Sequence, residues 1–130
     1  MKTLLYIEDN LDNLKVLRMM LNRLRPHDDI LVSVTAVEGL AIAQEKCPDL
    51  IFMDIDLPDM DGYMALSALR ADTLTRHIPV LAVSAHAMLG NIQKGLAAGF
   101  DAYITKPVDM RRLNDILNHY LSATELVGHG

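Results

Sequence analysis

The stretch Leu50-Ile51-Phe52-Met53-Asp54-Ile55-Asp56-Leu57-Pro58 decides how this chain reads. Four apolar residues in a row predict a strand covered on both faces, and a carboxylate directly after them belongs at the rim of a sheet. Two further segments repeat the pattern: Leu4-Leu5-Tyr6-Ile7 runs into Glu8-Asp9, and Val80-Leu81-Ala82-Val83 runs into Ser84. A fourth, Ala102-Tyr103-Ile104-Thr105, delivers Lys106-Pro107. Apolar strands that each end in a charged or hydroxylic side chain describe a site.

Outward from these segments, strand and helix periods alternate along the chain. Strands are predicted at 3–7, 30–34, 50–53, 80–83 and 102–104. Helical spacing links Leu14, Leu17, Leu21 and Leu24; Val37, Leu40 and Ala41; Ala65, Ala68 and Leu69; Leu89, Ile92 and Leu96; and Leu113, Ile116, Leu117, Tyr120 and Leu121. Pro48 and Pro79 precede strands, Asp61-Gly62 opens the third helix, Gly99 closes the fourth and Asp109 caps the fifth. Five βα units with right-handed crossovers predict an α/β, doubly wound (βα)5 sandwich with a parallel sheet in the order 2-1-3-4-5. Ligands of such sheets bind beyond the carboxyl ends of the strands, at the switch point between strands 1 and 3, where Glu8, Asp9 and Asp54 fall.

Composition narrows the function class. The 130 residues suit one domain, read as residues 1–121 with a flexible tail over 122–130. A net charge of −5 without a basic stripe argues against direct nucleic-acid binding. No apolar run approaches the ~20 residues of a membrane span. The single cysteine, Cys47, excludes an internal disulfide and suits a cytoplasmic setting. Cys47 itself reads as a small buried hydrophobe, most of the eight methionines as core, and the histidines at 27, 77, 119 and 129 as surface residues. Met60, Met64 and Met88 fall beside the site, where they suit partner docking.

If Glu8, Asp9 and Asp54 converge, like charges about 4 Å apart repel by roughly 4 kcal/mol at an effective dielectric near 20. Either a carboxyl keeps its proton or a cation binds. Hard oxygen donors without a His/Cys cluster favour Mg2+, or Mn2+, over zinc. Three carboxylates, one divalent ion and Lys106 then sum to zero charge. A metal, a lysine and a hydroxyl around one carboxylate suit phosphoryl transfer, with Asp54 as nucleophile, Lys106 and Ser84 on the phosphoryl oxygens, and backbone N–H groups of Ile55 and Ala85 as further donors.

Each residue alone has a plainer reading. Glu8-Asp9 could cap the first helix, Asp54 could serve a turn, Ser84 could cap the fourth helix, and Tyr103 could simply pack. Together, Tyr6-Ile7-Glu8-Asp9-Asn10, Met53-Asp54-Ile55-Asp56-Leu57-Pro58, Met60-Asp61-Gly62, Ser84-Ala85 and Tyr103-Ile104-Thr105-Lys106-Pro107 resemble the receiver domains of two-component response regulators over residues 2–121.

That resemblance implies a flavodoxin-like fold and a phosphorylation-dependent signalling switch, of the stand-alone or hybrid-kinase type. Asp54 would accept phosphate from a histidine kinase or a histidine phosphotransfer protein. Asp9, Asp54 and the carbonyl of Asp56 would bind Mg2+, with Glu8 acting through water. Lys106-Pro107 would be a cis peptide, and Ser84 and Tyr103 would form the switch to the surface of helix 4, strand 5 and helix 5. Catalysis would be confined to the chain's own phosphorylation and dephosphorylation, so it would not be an enzyme on other substrates. Asp56 and His86 stand where the family tunes dephosphorylation. The dimerisation charges of winged-helix regulators are not evident around Asp101 and Arg111, which favours a monomer or weak dimer contacting a downstream protein.

Two other readings compete. Asp54-x-Asp56 imitates the nucleophile and acid/base pair of haloacid-dehalogenase-like phosphohydrolases, although that motif belongs on a first strand. An FMN-binding flavodoxin-like protein would share the fold, but Glu8-Asp9-Asn10 is acidic where a phosphate cradle is needed.

Overall fold

Alternation of apolar runs and amphipathic segments folds as five βα units. The computed structural model describes residues 1–122. Strands β1 (Thr3–Ile7), β2 (Asp29–Ser33), β3 (Leu50–Asp54), β4 (Val80–Ser84) and β5 (Ala102–Thr105) alternate with helices α1 (Leu11–Leu24), α2 (Ala36–Lys46), α3 (Gly62–Ala71), α4 (Leu89–Ala98) and α5 (Met110–Leu117). A π-helical turn, Asn118–Ser122, extends α5. All strands are parallel, in the order β2-β1-β3-β4-β5. The expected sheet is the observed one. Residues 123–130, which hold most of the expected tail and His129, lie outside the described residues.

Side chains along a strand alternate between faces, so each strand feeds two cores. Leu5, Ile7, Ile51, Met53, Val80, Ala82 and Tyr103 pack against α2 and α3. Leu4, Tyr6, Leu50, Phe52, Leu81, Val83 and Ile104 pack against α1 and α5. The same parity sorts the strand ends. Glu8 follows Tyr6, Asp54 follows Phe52 and Lys106 follows Ile104, which sets all three on the α1/α5 side. Ser84 follows Ala82 and belongs to the other side with Tyr103.

Several local expectations need correction. β2 begins and ends one residue earlier than expected, leaving Val34 40% exposed. β3, β4 and β5 each run one residue longer, because Asp54, Ser84 and Thr105 still sit in the parallel ladder. Helix α2 buries Ala36, Gly39 and Ala43, with Val37 63% exposed. The cause is close approach: a Cβ on Gly39 would lie 2.5 Å from Cδ1 of Ile7, so only the small-residue face fits over β1. In α3, Leu66 is buried where Ala68 was expected. Helix α4 buries only Gly95, while Leu89 and Leu96 are 68% and 47% exposed.

Cys47 is exposed, not buried. It closes α2 in a left-handed conformation (φ 45°) and its amide donates to the Ala43 carbonyl. Among the methionines only Met53 is fully buried, and Met1, Met19, Met64 and Met88 are exposed. Among the described residues, no helix is long and apolar enough to cross a membrane.

Candidate functional site

Glu8 continues β1 past its last hydrogen-bonded pair, and its amide still donates to the Ser33 carbonyl at 2.9 Å. Its side chain is fully buried, and Asp54 at the end of β3 is 4% exposed. Asp9 is exposed and stands beside them. One carboxylate oxygen from each of Glu8, Asp9 and Asp54 lies within 4.8 Å of the others. The cap of α1 is Asn10, whose side chain accepts from the Asn13 amide, so Glu8 and Asp9 are not its cap.

Lys106 reaches this cluster from the end of β5. Its Nζ donates to Glu8 Oε1 at 2.7 Å and to Asp54 Oδ2 at 3.2 Å. The Lys106–Pro107 peptide bond is cis, and the Lys106 amide donates to the Ser84 carbonyl. The Tyr6 hydroxyl donates to Glu8 Oε1 at 3.0 Å, and the Asn10 amide to Oε2 at 3.3 Å. The Asp56 amide holds Asp54 Oδ1 at 3.0 Å.

The electrostatics follow from crowding. Burial raises Asp54, and hydrogen bonding with Glu8 raises it further, to about 6. Burial also opposes ionisation of Glu8, but hydrogen bonds with Asp54 and Lys106 outweigh it and bring Glu8 down to about 2. The pair therefore divides its charge, with Glu8 ionised and Asp54 the more easily protonated partner. Burial works against the Lys106 ammonium, yet hydrogen bonds and charge from Glu8 and Asp54 raise it on balance. Burial, together with the neighbouring Glu8, raises the Tyr6 phenol. One lysine cannot balance three carboxylates, and hard oxygen donors are what a magnesium ion takes. The residues fit that ion.

Ser84 is fully buried, and its Oγ accepts from the His86 amide at 3.1 Å. It caps no helix: the N-cap of α4 is Met88, without a side-chain bond. Tyr103 is 7% exposed and donates to the His86 carbonyl at 2.8 Å. Its ring lies against Gly95, where a Cβ would come within 2.7 Å. The Ile55 amide donates to the Val83 carbonyl at 3.3 Å, so it is engaged rather than waiting for an anion. His86 Nε2 lies 3.3 Å from Asp56 Oδ2, and both side chains border a cavity of ≈ 600 Å3. Met60 is half-buried, while Met64 and Met88 are open.

Two contacts here had weak sequence signals. Tyr6 stands two residues before Glu8 and so shares its strand face, a parity that could have paired them. Asp59 accepts from the Ala36 and Val37 amides at 3.0 Å each, tying the loop after β3 to the start of α2. Nothing in the local sequence joins residues that far apart.

Comparison with known proteins agrees with this geometry. The sequence profile of the response regulator receiver domain matches residues 4–118. The polar-differentiation response regulator DivK of Brucella ovis is 36% identical over 120 residues, covering 92% of this chain and 96% of that protein. The receiver domain of a sensor histidine kinase from Pseudomonas aeruginosa PAO1 is 30% identical with a TM-score of 0.84, covering 93% of this chain and 98% of its own. That structure has a magnesium ion coordinated in its active site cleft. A CheY-like receiver domain protein from Methanospirillum hungatei is 31% identical with a TM-score of 0.83, covering 96% of this chain and 97% of its own. Asp54 also ends the third strand, whereas the phosphohydrolase motif belongs on the first. Topology, acid cluster and sequence thus agree, and the chain belongs to the response regulator receiver domain family of two-component signal transduction.

Proposed function

We propose that Asp54 accepts a phosphoryl group, in a Mg2+-dependent reaction, from a phosphohistidine of a histidine kinase or phosphotransfer protein. The observation that carries this is the acid cluster itself: Glu8, Asp9 and Asp54 oxygens within 4.8 Å, with Lys106 bridging two of them. Asp9, Asp54 and the Asp56 carbonyl would hold Mg2+, or Mn2+ in its place, with Glu8 acting through water. When bound, that ion would supply the positive charge that keeps Asp54 ionised and offsets charge on the phosphoryl oxygens.

The chain's own groups do the rest. The Asp56 amide fixes the Asp54 carboxylate by one oxygen, which orients the other toward Lys106. An Asp54 oxygen forms the new O–P bond as the P–N bond to the donor histidine breaks, and the electron pair leaves with the imidazole nitrogen. Lys106 moves onto one phosphoryl oxygen and the Ser84 hydroxyl donates to another. The Ala85 amide adds a donor, and the Ile55 amide does so by giving up Val83.

Drawing Ser84 toward the phosphate changes the loop whose His86 carbonyl holds Tyr103. The surface of α4, β5 and α5 then presents a different face to a downstream protein. On this reading the chain works as a cytoplasmic monomer or weak dimer, turns over no separate substrate, and binds neither nucleic acid nor membrane.

The test is intact-mass spectrometry after incubation with acetyl phosphate. Wild type gains one phosphoryl group with Mg2+ and none with EDTA, and Asp54→Asn gains none. Phosphorylation of Asp54→Asn at an unchanged level removes Asp54 from the role.

A further inference from the structure

Tyr6 is a buried titratable group that the phosphoryl chemistry leaves unused. It is 1% exposed, and its ring makes an edge contact with Phe52, centroids 6.5 Å apart. Its hydroxyl and the Lys106 ammonium converge on one atom, Glu8 Oε1, at 3.0 and 2.7 Å. The two donors differ in one respect. Lys106 is carried on a flexible stem at the rim and is 18% exposed. Tyr6 is held in the core by its place on β1, and its hydroxyl donates to Glu8 Oε1.

Phosphorylation asks the two to part. If Lys106 swings from Glu8 to a phosphoryl oxygen, as proposed above, Oε1 of a fully buried carboxylate loses its shorter hydrogen bond. A buried acceptor stripped of donors is penalised far more than one that keeps a partner. We propose that Tyr6 is a positioning residue whose fixed hydroxyl keeps Glu8 satisfied when Lys106 leaves it, and so favours the phosphorylated arrangement. The inference rests on the reading of Asp54 and Lys106 given above. It assigns Tyr6 no contact with the phosphoryl group.

The test uses Tyr6→Phe, which keeps the ring against Phe52 and removes one oxygen. Calorimetric titration with MgCl2 alone, then with beryllofluoride at saturating Mg2+, separates the two states. Without the phosphoryl mimic Lys106 still holds Glu8, so Mg2+ affinity changes by less than about twofold. With the mimic Lys106 has moved, and beryllofluoride affinity falls by about tenfold, the loss expected for one buried acceptor bond. Acetyl phosphate kinetics follow the same division, with the single-turnover phosphorylation rate reduced while Mg2+ dependence stays as in wild type.

Equal losses in Mg2+ and beryllofluoride affinity would mean general damage to the pocket and would overturn the proposal, as would no loss in either. If Tyr6→Phe does not fold, wild type labelled with 13Cζ-tyrosine supplies the answer: the Tyr6 resonance shifts when beryllofluoride binds, and an unmoved resonance overturns the idea. A wild-type chain that binds neither Mg2+ nor beryllofluoride removes the phosphoryl-site reading itself. Wild type that binds both while Tyr6→Phe matches it removes only the role of Tyr6.

Discussion

The two ends of the sheet use the same side chain for opposite purposes. At the end where strands begin, each aspartate serves one amide. Asp28, just before β2, accepts from the Lys2 amide at 3.0 Å; Asp49, just before β3, accepts from Thr3 at 2.8 Å; Asp101, just before β5, accepts from Val80 at 2.8 Å. Each carboxylate thereby stitches its own strand to the next one. Arg25 pairs with Asp28, and Arg70 pairs with Asp101 at 2.9 Å. At the end where strands finish, Glu8, Asp9 and Asp54 crowd together around a single lysine. Spread-out acids with individual partners stabilise a fold. Crowded ones keep an unmet demand for a cation.

The sharpest way to break this contrast is Asp54→Asn. Phosphoryl uptake from acetyl phosphate should vanish in mass spectra, while metal-free stability rises by roughly 1 kcal/mol, or about 3–5 °C in melting temperature, because the crowding is relieved. The pH dependence has a definite sign. Asp54 is raised from 3.8 to about 6, so the folded state holds this proton more tightly than the unfolded state. Its contribution is complete below pH ~4 and is lost as pH rises through ~6. The gap between the variant and wild type should therefore widen from pH 5 to 7.5 without metal, and close with saturating Mg2+.

Lys106→Met tests the same end from the opposite side. Removing the cation leaves two buried carboxyls without it, and urea melts should show a loss of about 3 kcal/mol, much of it restored by Mg2+. A loss that Mg2+ leaves untouched would break the comparison. Asp101→Ala probes the stitching end: stability should fall by about 1–2 kcal/mol, since the Val80 amide loses its acceptor and Arg70 its ion pair, with Mg2+ affinity unchanged by calorimetry.

The smallest effect is expected from Gly95→Ala. Alanine ordinarily strengthens a helix by about 0.5–1 kcal/mol, but here its Cβ would meet the Tyr103 ring at 2.7 Å. Stability should drop by up to about 1 kcal/mol instead, with a changed Tyr103 NMR environment and unaltered Mg2+ binding.

What could be read beforehand follows a physical division. Strands covered on both faces announce themselves as apolar runs, and the residues that end them, Glu8, Asp54, Ser84 and Lys106, were placed by that rule alone. The helices were less legible wherever size rather than hydrophobicity chose the buried face. Val37 outranks Gly39 on any apolar scale, yet Ile7 leaves no room for it. Helix α4 shows the converse, an apolar spacing that leaves Leu89 and Leu96 68% and 47% exposed. The chemistry of Cys47 suggests burial, whereas its place at the end of α2 sets its exposure. The Asp59 cap on α2 could not be read, because only the folded chain brings loop and helix together.

Helix α4 holds to the molecule through a buried Gly95 and a half-buried Ile92, without a side-chain cap at its start. Exposed positions remote from packing and caps typically change stability by less than about 0.5 kcal/mol when substituted. The outward residues of α4 can therefore diverge freely while the sheet and its acid cluster stay as they are. A duplicated copy of this chain could change the face that α4 presents and leave the geometry of Glu8, Asp9, Asp54 and Lys106 intact.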